Sequence, residues 1–409
     1  MKKNILIILP WLPWPLTSGG NQAMFNGIKA IQDECNVFVT YMEGRKDYHK
    51  NERGQLQKIL QKVNIMPCLY NPLKKIGFGL IDLICEKLAH YLIKDQRSKI
   101  CRNMVAKYNL KSKEQIEFIN QIIDKYNIDI VQCEMLSQLT WGLSLPKKVK
   151  KVFVHHELGY VRDELTFKER ERDSYINSCM NASRMLEIST LNTFDKIITL
   201  SPIDTAKLQD AGVTTSISSS FAIVKTGYSF EQENEFRYIL SFVGPENHLP
   251  NKVGIEWFLQ NCWQKLLVKR EYQLHIIGKW SEETTTSIQS KYRNVHFPGF
   301  VPDLSEAIKN TTMIVPITIG SGIRMKILEA ASCGVPIVCT SVGVEGIPFE
   351  DDIHAYIADE SEEFVDKIIK LENQQNRERL RTNANKIVQT SYSIEALKDN
   401  RIRIYNSLQ

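Results

Sequence analysis

The sequence predicts an α/β protein made of two doubly wound parallel sheets. Three observations point there. Short, continuous apolar runs rich in Ile and Val alternate with segments of helical period, the pattern of strands buried on both faces between helices. The alternation appears twice, once before Ala211 and again from Tyr238, with a Ser-, Thr-, Gly- and Glu-rich stretch from Ala211 to Glu235 between them. The chain has 409 residues, more than one ordinary core of about 100–200 residues holds.

The elements follow in order. Asn4 to Leu9 (NILIIL) reads as a buried strand. Prolines 10, 13 and 15 follow, then Ser18-Gly19-Gly20 as a loop, then a helix carrying Met24, Ile28 and Ile31 on one face, with Ser18 or Asn21 as its N-cap. Strand, glycine-bearing loop and helix make the first half of a βαβ unit. Asn36 to Tyr41, Asp129 to Cys133, Val152 to His155 and Lys196 to Leu200 are the next strands. One long polar helix, Asp163 to Thr193, precedes the last of these, and a shorter helix, Asp204 to Asp210, follows it. In the second half the strands are YILSFVG from Tyr238, then Leu274–Ile277, Asn294–Phe297, Met313–Pro316, Pro336–Cys339 and Ala355–Ala358. Helices lie at Lys252–Leu267, Leu304–Ile308, Arg324–Ser332, Glu362–Leu371, Arg377–Gln389 and Ile394–Leu408.

The opening run also has the outline of a secretory signal. Three prolines interrupt it, and Thr17-Ser18-Gly19-Gly20 stands where an Ala-x-Ala cleavage site would be, so the strand reading prevails. No stretch approaches the ~18 continuous apolar residues of a spanning helix. Nine cysteines, an odd number without a Cys-x-x-Cys pair, fit neither a disulfide framework nor a zinc ribbon; they read as reduced, packed side chains of a cytoplasmic protein. A net charge of +5 is too weak, without a concentrated patch, to argue for nucleic acid. The segment Lys74 to Lys113 is more basic, with ten lysines and arginines around an apolar helical face. It reads either as a core-facing helix with a solvated side or as a surface for anionic lipid.

Ligands of doubly wound sheets bind beyond the carboxyl ends of the strands. With two sheets facing each other, the expected site is the cleft between them. The richest stretch is PITIGSGIRMKILEAASCGVPIV, Pro316 to Val338. A strand ends, a loop bears Gly320, Ser321 and Gly322, and a helix begins near Ile323. Arg324 and Lys326 then fall in its first turn. Cations are unfavourable at a helix N-terminus unless an anion offsets them, so their presence argues for a bound diphosphate. Glu329, three residues past Lys326, either accepts hydrogen bonds from sugar hydroxyls or pairs with that lysine.

GSGIRMKILEA, Gly320 to Ala330, resembles the donor-binding region of the GT-B glycosyltransferases, specifically the large retaining family numbered four, also called glycosyl transferases group 1. That family carries two glutamates eight positions apart; Glu329 matches the second, and Ser321 stands at the first. FVGPENHLPNKVGIEWF, from Phe242, is similar to the opening strand-loop-helix of the family's donor domain, down to Pro250-Asn251. VHFPGFVPDLSEAI, from Val295, resembles its nucleotide-base loop, and CTSVGVEGIPF and YSIEALKDNRI also fit. Residue by residue, the resemblance implies that Arg324 and Lys326 hold diphosphate and Glu329 the ribose. It places Asn251 and Lys252 (or His248) near the phosphates and Phe300 and Val301 at the base. Ser321 and Gly322 would bind the donor sugar. In the first half, Gly19 and Gly20 match a phosphate-touching glycine loop, and His156, ahead of His155, matches a histidine that faces the sugar or acceptor.

The resemblance therefore implies two facing Rossmann-like domains. Residues 1–228 form the acceptor side, 229–392 bind the nucleotide sugar, and a last helix over 393–409 packs back on the first domain. It implies a retaining, cytoplasmic hexosyltransferase with a nucleotide-sugar donor and a glycan or lipid-linked acceptor, peripheral at the inner face of a membrane. No Asp-x-Asp occurs in the chain. Arg324, Lys326 and the helix terminus would stabilise the leaving diphosphate without a metal or other cofactor. Two alternatives stay open: a sugar-nucleotide 2-epimerase of the same fold, and a non-catalytic two-lobed binding protein.

Overall fold

The computed structural model describes residues 2–16, 18–44, 46–70, 96–108, 110–167, 171–221, 236–320 and 323–408. It divides into two compact units, Met1–Phe221 with Leu397–Gln409, and Ala222–Ala396.

The first unit runs β1 (Asn4–Leu9), α1 (Gly19–Ile31), β2 (Asn36–Gly44), α2 (Lys50–Ile59), β3 (Val63–Leu69), α3 (Gln96–Ala106), α4 (Lys113–Lys125), β4 (Ile130–Glu134) and a 3-10 turn, Leu136–Leu143. Then come β5 (Lys150–His155), α5 (Gly159–Thr166), α6 (Ser174–Leu191), β6 (Lys196–Thr199), α7 (Pro202–Asp210) and β7 (Ile217–Ser219). Among the described residues the sheet has seven parallel strands in the order β3-β2-β1-β4-β5-β6-β7. The central strands are sealed on both faces: Ile5 to Leu9 are fully buried, as are Val152, Phe153 and Val154.

The second unit has β8 (Ile239–Val243), α8 (Leu249–Phe258) continuing through a π turn at Leu259–Trp263 into α9 (Gln264–Lys269), β9 (Gln273–Ile277), α10 (Glu282–Lys291), β10 (Val295–Gly299) and α11 (Leu304–Ile308). It continues with β11 (Thr312–Val315), α12 (Met325–Ser332), β12 (Ile337–Cys339), α13 (Ser341–Val344), β13 (Tyr356–Ile357), α14 (Ser361–Lys370) and α15 (Gln374–Ser391). The last helix, α16 (Ile394–Asn406), belongs from Leu397 onward to the first unit. The second sheet, of six described strands, runs β10-β9-β8-β11-β12-β13. Both orders reverse direction once, between β1 and β4 and between β8 and β11. A ligand of a Rossmann-like sheet sits at such a switch point, beyond the carboxyl ends of the two strands.

Several local expectations need correction. The long helix read over Asp163–Thr193 is two helices, α5 and α6. Asp173 starts the second, its carboxylate accepting from Ile176 N at 2.8 Å; a good N-cap residue begins a helix wherever it falls. Gly19 and Gly20 are the first residues of α1, not a loop, because Ser18 caps the helix one residue ahead of them. The Ala211–Glu235 stretch, read as the junction between the two halves, contains the edge strand β7. Strand β3 went unread because Asn64 and Pro67 interrupt its apolar run, which an edge strand tolerates. Within the basic segment Lys74–Lys113, residues 74–95 and 109 lie outside the described ones, and Gln96–Ala106 is helical. Among the described residues no helix is long and apolar enough to cross a membrane, and the described cysteines are free thiols.

Candidate functional site

Chemistry-bearing side chains gather at both switch points, and each unit builds its own group. In the second unit the strand β8 ends at Val243, and the chain turns at Gly244 with φ +152. A Cβ there would stand 2.4 Å from Asn251 Nδ2, so the glycine lets Asn251 fold back over the turn. Asn251 is buried and donates from Nδ2 to Pro245 O at 2.9 Å. Its other amide atom, Oδ1, accepts from Lys326 Nζ at 2.8 Å. The same ammonium lies 4.0 Å from the centroid of the Phe242 ring. Neutral groups thus hold the lysine: an amide oxygen and a π face.

Burial, reinforced by the neighbouring Arg324 and only partly offset by Glu329, pushes the Lys326 ammonium down to about 7. The residue as a whole is half-buried, and its ammonium contacts Asn251 and the Phe242 ring. Arg324 is buried and is the N-cap residue of α12, one position earlier than the reading that put it inside the helix. Its guanidinium lies against Gly320, whose φ is +114. Lys326 is the second residue of α12, where the first backbone N–H groups have no intrahelical acceptor. Glu329 is on the same helix, one turn on. The arrangement is a seat for an anion: two cations, a helix N-terminus and a glycine turn.

The other donor-side expectations divide. Phe300 and Val301 sit in the turn after β10, with the Phe300 ring exposed. Lys252 turns away from Lys326. It pairs with Glu246 at 3.2 Å and lines a groove with Glu256, Gln260 and Lys291. Glu246 also accepts from Thr284 Oγ1 at 2.6 Å and Ser281 N at 2.8 Å. Those bonds, the Thr284 hydroxyl first, hold its carboxyl down at about 2. Lys252 is therefore committed to a loop-locking carboxylate. Ser321 and Gly322 lie outside the described residues.

In the first unit the start of α1, which follows β1, and the end of β4 border the switch point, with the end of β5 beside β4. Gly19 and Gly20 open α1, and Met135, directly after β4, holds φ 70. A Cβ on Gly20 would meet Met135 Cε at 3.0 Å. Positive φ is costly for an unbranched non-glycine residue, and such strain gathers at functional sites. His156, one residue past β5, bonds through Nε2 to Glu134 Oε2 at 2.9 Å. Glu134 is nearly inaccessible and also accepts from Gln132 Nε2 at 2.7 Å.

His155 plays a different part. Its Nε2 meets Glu187 Oε1 at 2.9 Å. Glu187 further accepts from Tyr108 Oη at 2.7 Å, Gly159 N at 3.1 Å and Tyr160 N at 2.9 Å. Burial opposes its ionisation, but His155, Tyr108 and the Gly159 N–H outweigh burial and keep the carboxyl below its ordinary value. One carboxylate thereby ties both ends of the turn that carries His156. Sequence reading missed Glu134 and Glu187. The signal for Glu134 was present as an acid closing an otherwise apolar strand, IVQCE; Glu187 lies in a polar helix, with nothing local to mark it.

Residues 237–374 match the family model described as glycosyl transferases group 1. The chain carries a group 1 glycosyltransferase domain. The match spans the anion seat of the second unit, from β8 to α12. No curated protein sequence matches the chain. Solved structures share the whole fold at low identity. TarM matches with TM-score 0.71 and 12% identity, over 99% of each chain. The sucrose-phosphate synthase of Thermosynechococcus elongatus matches at 0.69 and 15%, over 100% of this chain and 99% of that one. HepE of Anabaena in complex with UDP-glucose matches at 0.66 and 13%, over 99% and 100%. The group 1 domain and its partner unit thus have the GT-B architecture of two Rossmann-like domains.

Proposed function

We propose that this glycosyltransferase is a retaining hexosyltransferase. It moves a sugar from a nucleotide sugar to a hydroxyl of a glycan or lipid-linked acceptor, in cell-surface polysaccharide or glycan assembly. The observation that carries the reading is Lys326. Its ammonium is held by a neutral amide and a ring at a helix N-terminus, inside a group 1 domain. A diphosphate supplies the missing negative charge. HepE has been solved with UDP-glucose, and S. aureus TarM with UDP and α-GlcNAc-glycerol; both ligands are of the class proposed here.

In the reaction the bond from the anomeric carbon to the diphosphate oxygen breaks and the pair of electrons leaves with the diphosphate. The acceptor oxygen forms the new bond on the same face, and its proton passes to the departing phosphate oxygen. Lys326, Arg324 and the amides of α12 meet the charge that develops on the leaving group. Glu329 takes the ribose hydroxyls, and the turn after β10 takes the base. No metal is required for this step, because fixed cations and dipoles neutralise the diphosphate. His156, fixed by Glu134, faces the transferred sugar or acceptor, and Gly19 and Gly20 offer their amides to the phosphates. The protein acts in the cytoplasm, peripheral at the inner face of the membrane, where the basic segment Lys74–Lys113 meets anionic lipid.

A thermal-shift panel of UDP-, GDP- and ADP-sugars tests the reading. One nucleotide series should raise Tm, and proton NMR of the product formed from its sugar should show the donor's anomeric configuration kept. No shift from any of them, or an inverted product, overturns it. A new sugar nucleotide formed without acceptor would indicate epimerisation instead.

A further inference from the structure

A continuous hydrogen-bonded line joins the last helix to His156. Tyr405, in the final turns of α16, donates from Oη to Gln132 Oε1 at 2.5 Å. Gln132 Nε2 donates to Glu134 Oε1 at 2.7 Å, and Glu134 Oε2 meets His156 Nε2 at 2.9 Å. Gln132 and Glu134 stand two apart on β4 and share one face of the sheet. Tyr405, Gln132 and Glu134 are all nearly inaccessible to solvent.

The line has a direction. Burial pushes the Tyr405 phenol well above its ordinary value, so its proton stays in place and Oη donates. A primary amide that accepts at its oxygen presents its NH2 on the other side, and that group requires an acceptor. Glu134 Oε1 is that acceptor, which leaves its Oε2 to His156. Opposite a carboxylate, which can only accept, His156 donates from Nε2. In neutral His156, Nδ1 is then the free lone pair.

We propose that Tyr405 and Gln132 are positioning residues that fix His156 as the Nε2–H tautomer and leave Nδ1 to accept a hydrogen bond from a substrate hydroxyl. The tautomer assignment stands on this network alone; its use toward a hydroxyl rests on the transferase reading above. The carboxy-terminal helix thereby becomes part of the acceptor-side chemistry, though its side chain touches no substrate. Both directional steps depend on one neutral amide between a phenol and a carboxylate. Replacing either member releases the constraint without adding charge.

The test uses the full-length protein labelled with 15N-histidine, with His156→Gln to assign the signal. In the parent protein at a pH above its titration, His156 should show the shifts of a protonated Nε2 and a bare Nδ1. Tyr405→Phe and Gln132→Leu should move the two nitrogens toward the averaged values of exchanging tautomers. In transfer assays with the nucleotide sugar that gives the largest thermal shift, both variants should lower kcat about tenfold, with KM for that donor unchanged. The pH profile of kcat should shift along its acidic limb. A His156 spectrum showing Nδ1–H in the parent overturns the proposal. So does a spectrum unaltered in both variants, or, where the parent is active, kcat within twofold of it in both. Should the parent transfer no sugar at all, the transferase reading falls, while the 15N spectra still decide the tautomer. Circular dichroism melts identify a variant that fails to fold, and the other variant then carries the test.

Discussion

The two switch points solve opposite electrostatic problems. At the first unit's switch point the two buried glutamates have their partners. Glu134 has Gln132 and His156, and Glu187 has His155, Tyr108 and two backbone amides. In the second unit the cation Lys326 is met by an amide oxygen and an aromatic face, and burial with Arg324 pushes its proton off. A satisfied network holds geometry; a buried cation on neutral partners holds a vacancy of charge. The first unit is thus pre-organised, and on the proposed function an anionic ligand completes the second.

The sharpest way to break this contrast is Lys326→Ala. On the proposed function the lysine meets charge that grows as the diphosphate departs, so its loss should lower kcat by roughly 10²-fold or more, with a smaller change in donor KM. Steady-state transfer kinetics measure both. A near-normal kcat would mean that the vacancy is structural and that the anion sits elsewhere.

The glycines sharpen it next. Gly244 holds φ +152 with Asn251 packed where a Cβ would go. Gly27, inside α1, has nothing within 4 Å of that position. Gly244→Ala should destabilise its unit by about 1–3 kcal/mol and displace Asn251 from Lys326. Gly27→Ala should stabilise by up to about 1 kcal/mol, because alanine is the better helix former. Urea unfolding of the two variants gives opposite signs if the turn at Gly244 is strained for function and the helix is not.

How much of this was legible in the sequence follows the same divide. The strands sealed on both faces announced themselves, because nothing polar interrupts NILIIL, and its bounds agree with the structure. The edge strands β3 and β7 did not, since one open side admits Asn64, Pro67 and a run of serines. Lys326 and Arg324 were legible because cations at a helix start violate a rule. Glu187 was illegible because a glutamate in a polar helix violates none; its partners lie 27 to 79 residues away along the chain. Lys252 misled for a related reason. Its position in the loop-helix motif was right for a phosphate contact, but it pairs instead with Glu246, a carboxylate that Ser281 and Thr284 hold in a place only the fold shows.

Proton linkage gives a smaller signal. Lys326 titrates at about 7 in the folded chain against 10.5 for the ordinary lysine of the unfolded one. Between those values the unfolded state binds more protons, so stability of the ligand-free protein should rise with pH across that window. On the proposed function a bound diphosphate raises the folded value, so binding of the donor's nucleoside diphosphate near pH 8 should take up protons, and its affinity should fall as pH rises, by at most about tenfold per pH unit. Calorimetry in buffers of different ionisation enthalpy measures the uptake, and Lys326→Met should abolish it. Uptake retained in that variant would assign the proton to another group.

The smallest effect concerns the first unit alone. Ser18 Oγ accepts from Asn21 N at 3.2 Å and caps α1, which leaves the amides of Gly19 and Gly20 as the open donors of that helix. Ser18→Ala should cost about 1 kcal/mol of stability. If α1 serves only to hold the fold, the loss stops at Tm. If its first amides touch phosphate, donor KM rises as well, because the cap fixes the direction in which those amides point. Ser18→Gly separates the two costs, since glycine at an N-cap gives up only a few tenths of a kcal/mol. A donor KM raised equally by Ala and Gly then tracks the lost hydroxyl, whereas one that follows Tm tracks the frayed helix.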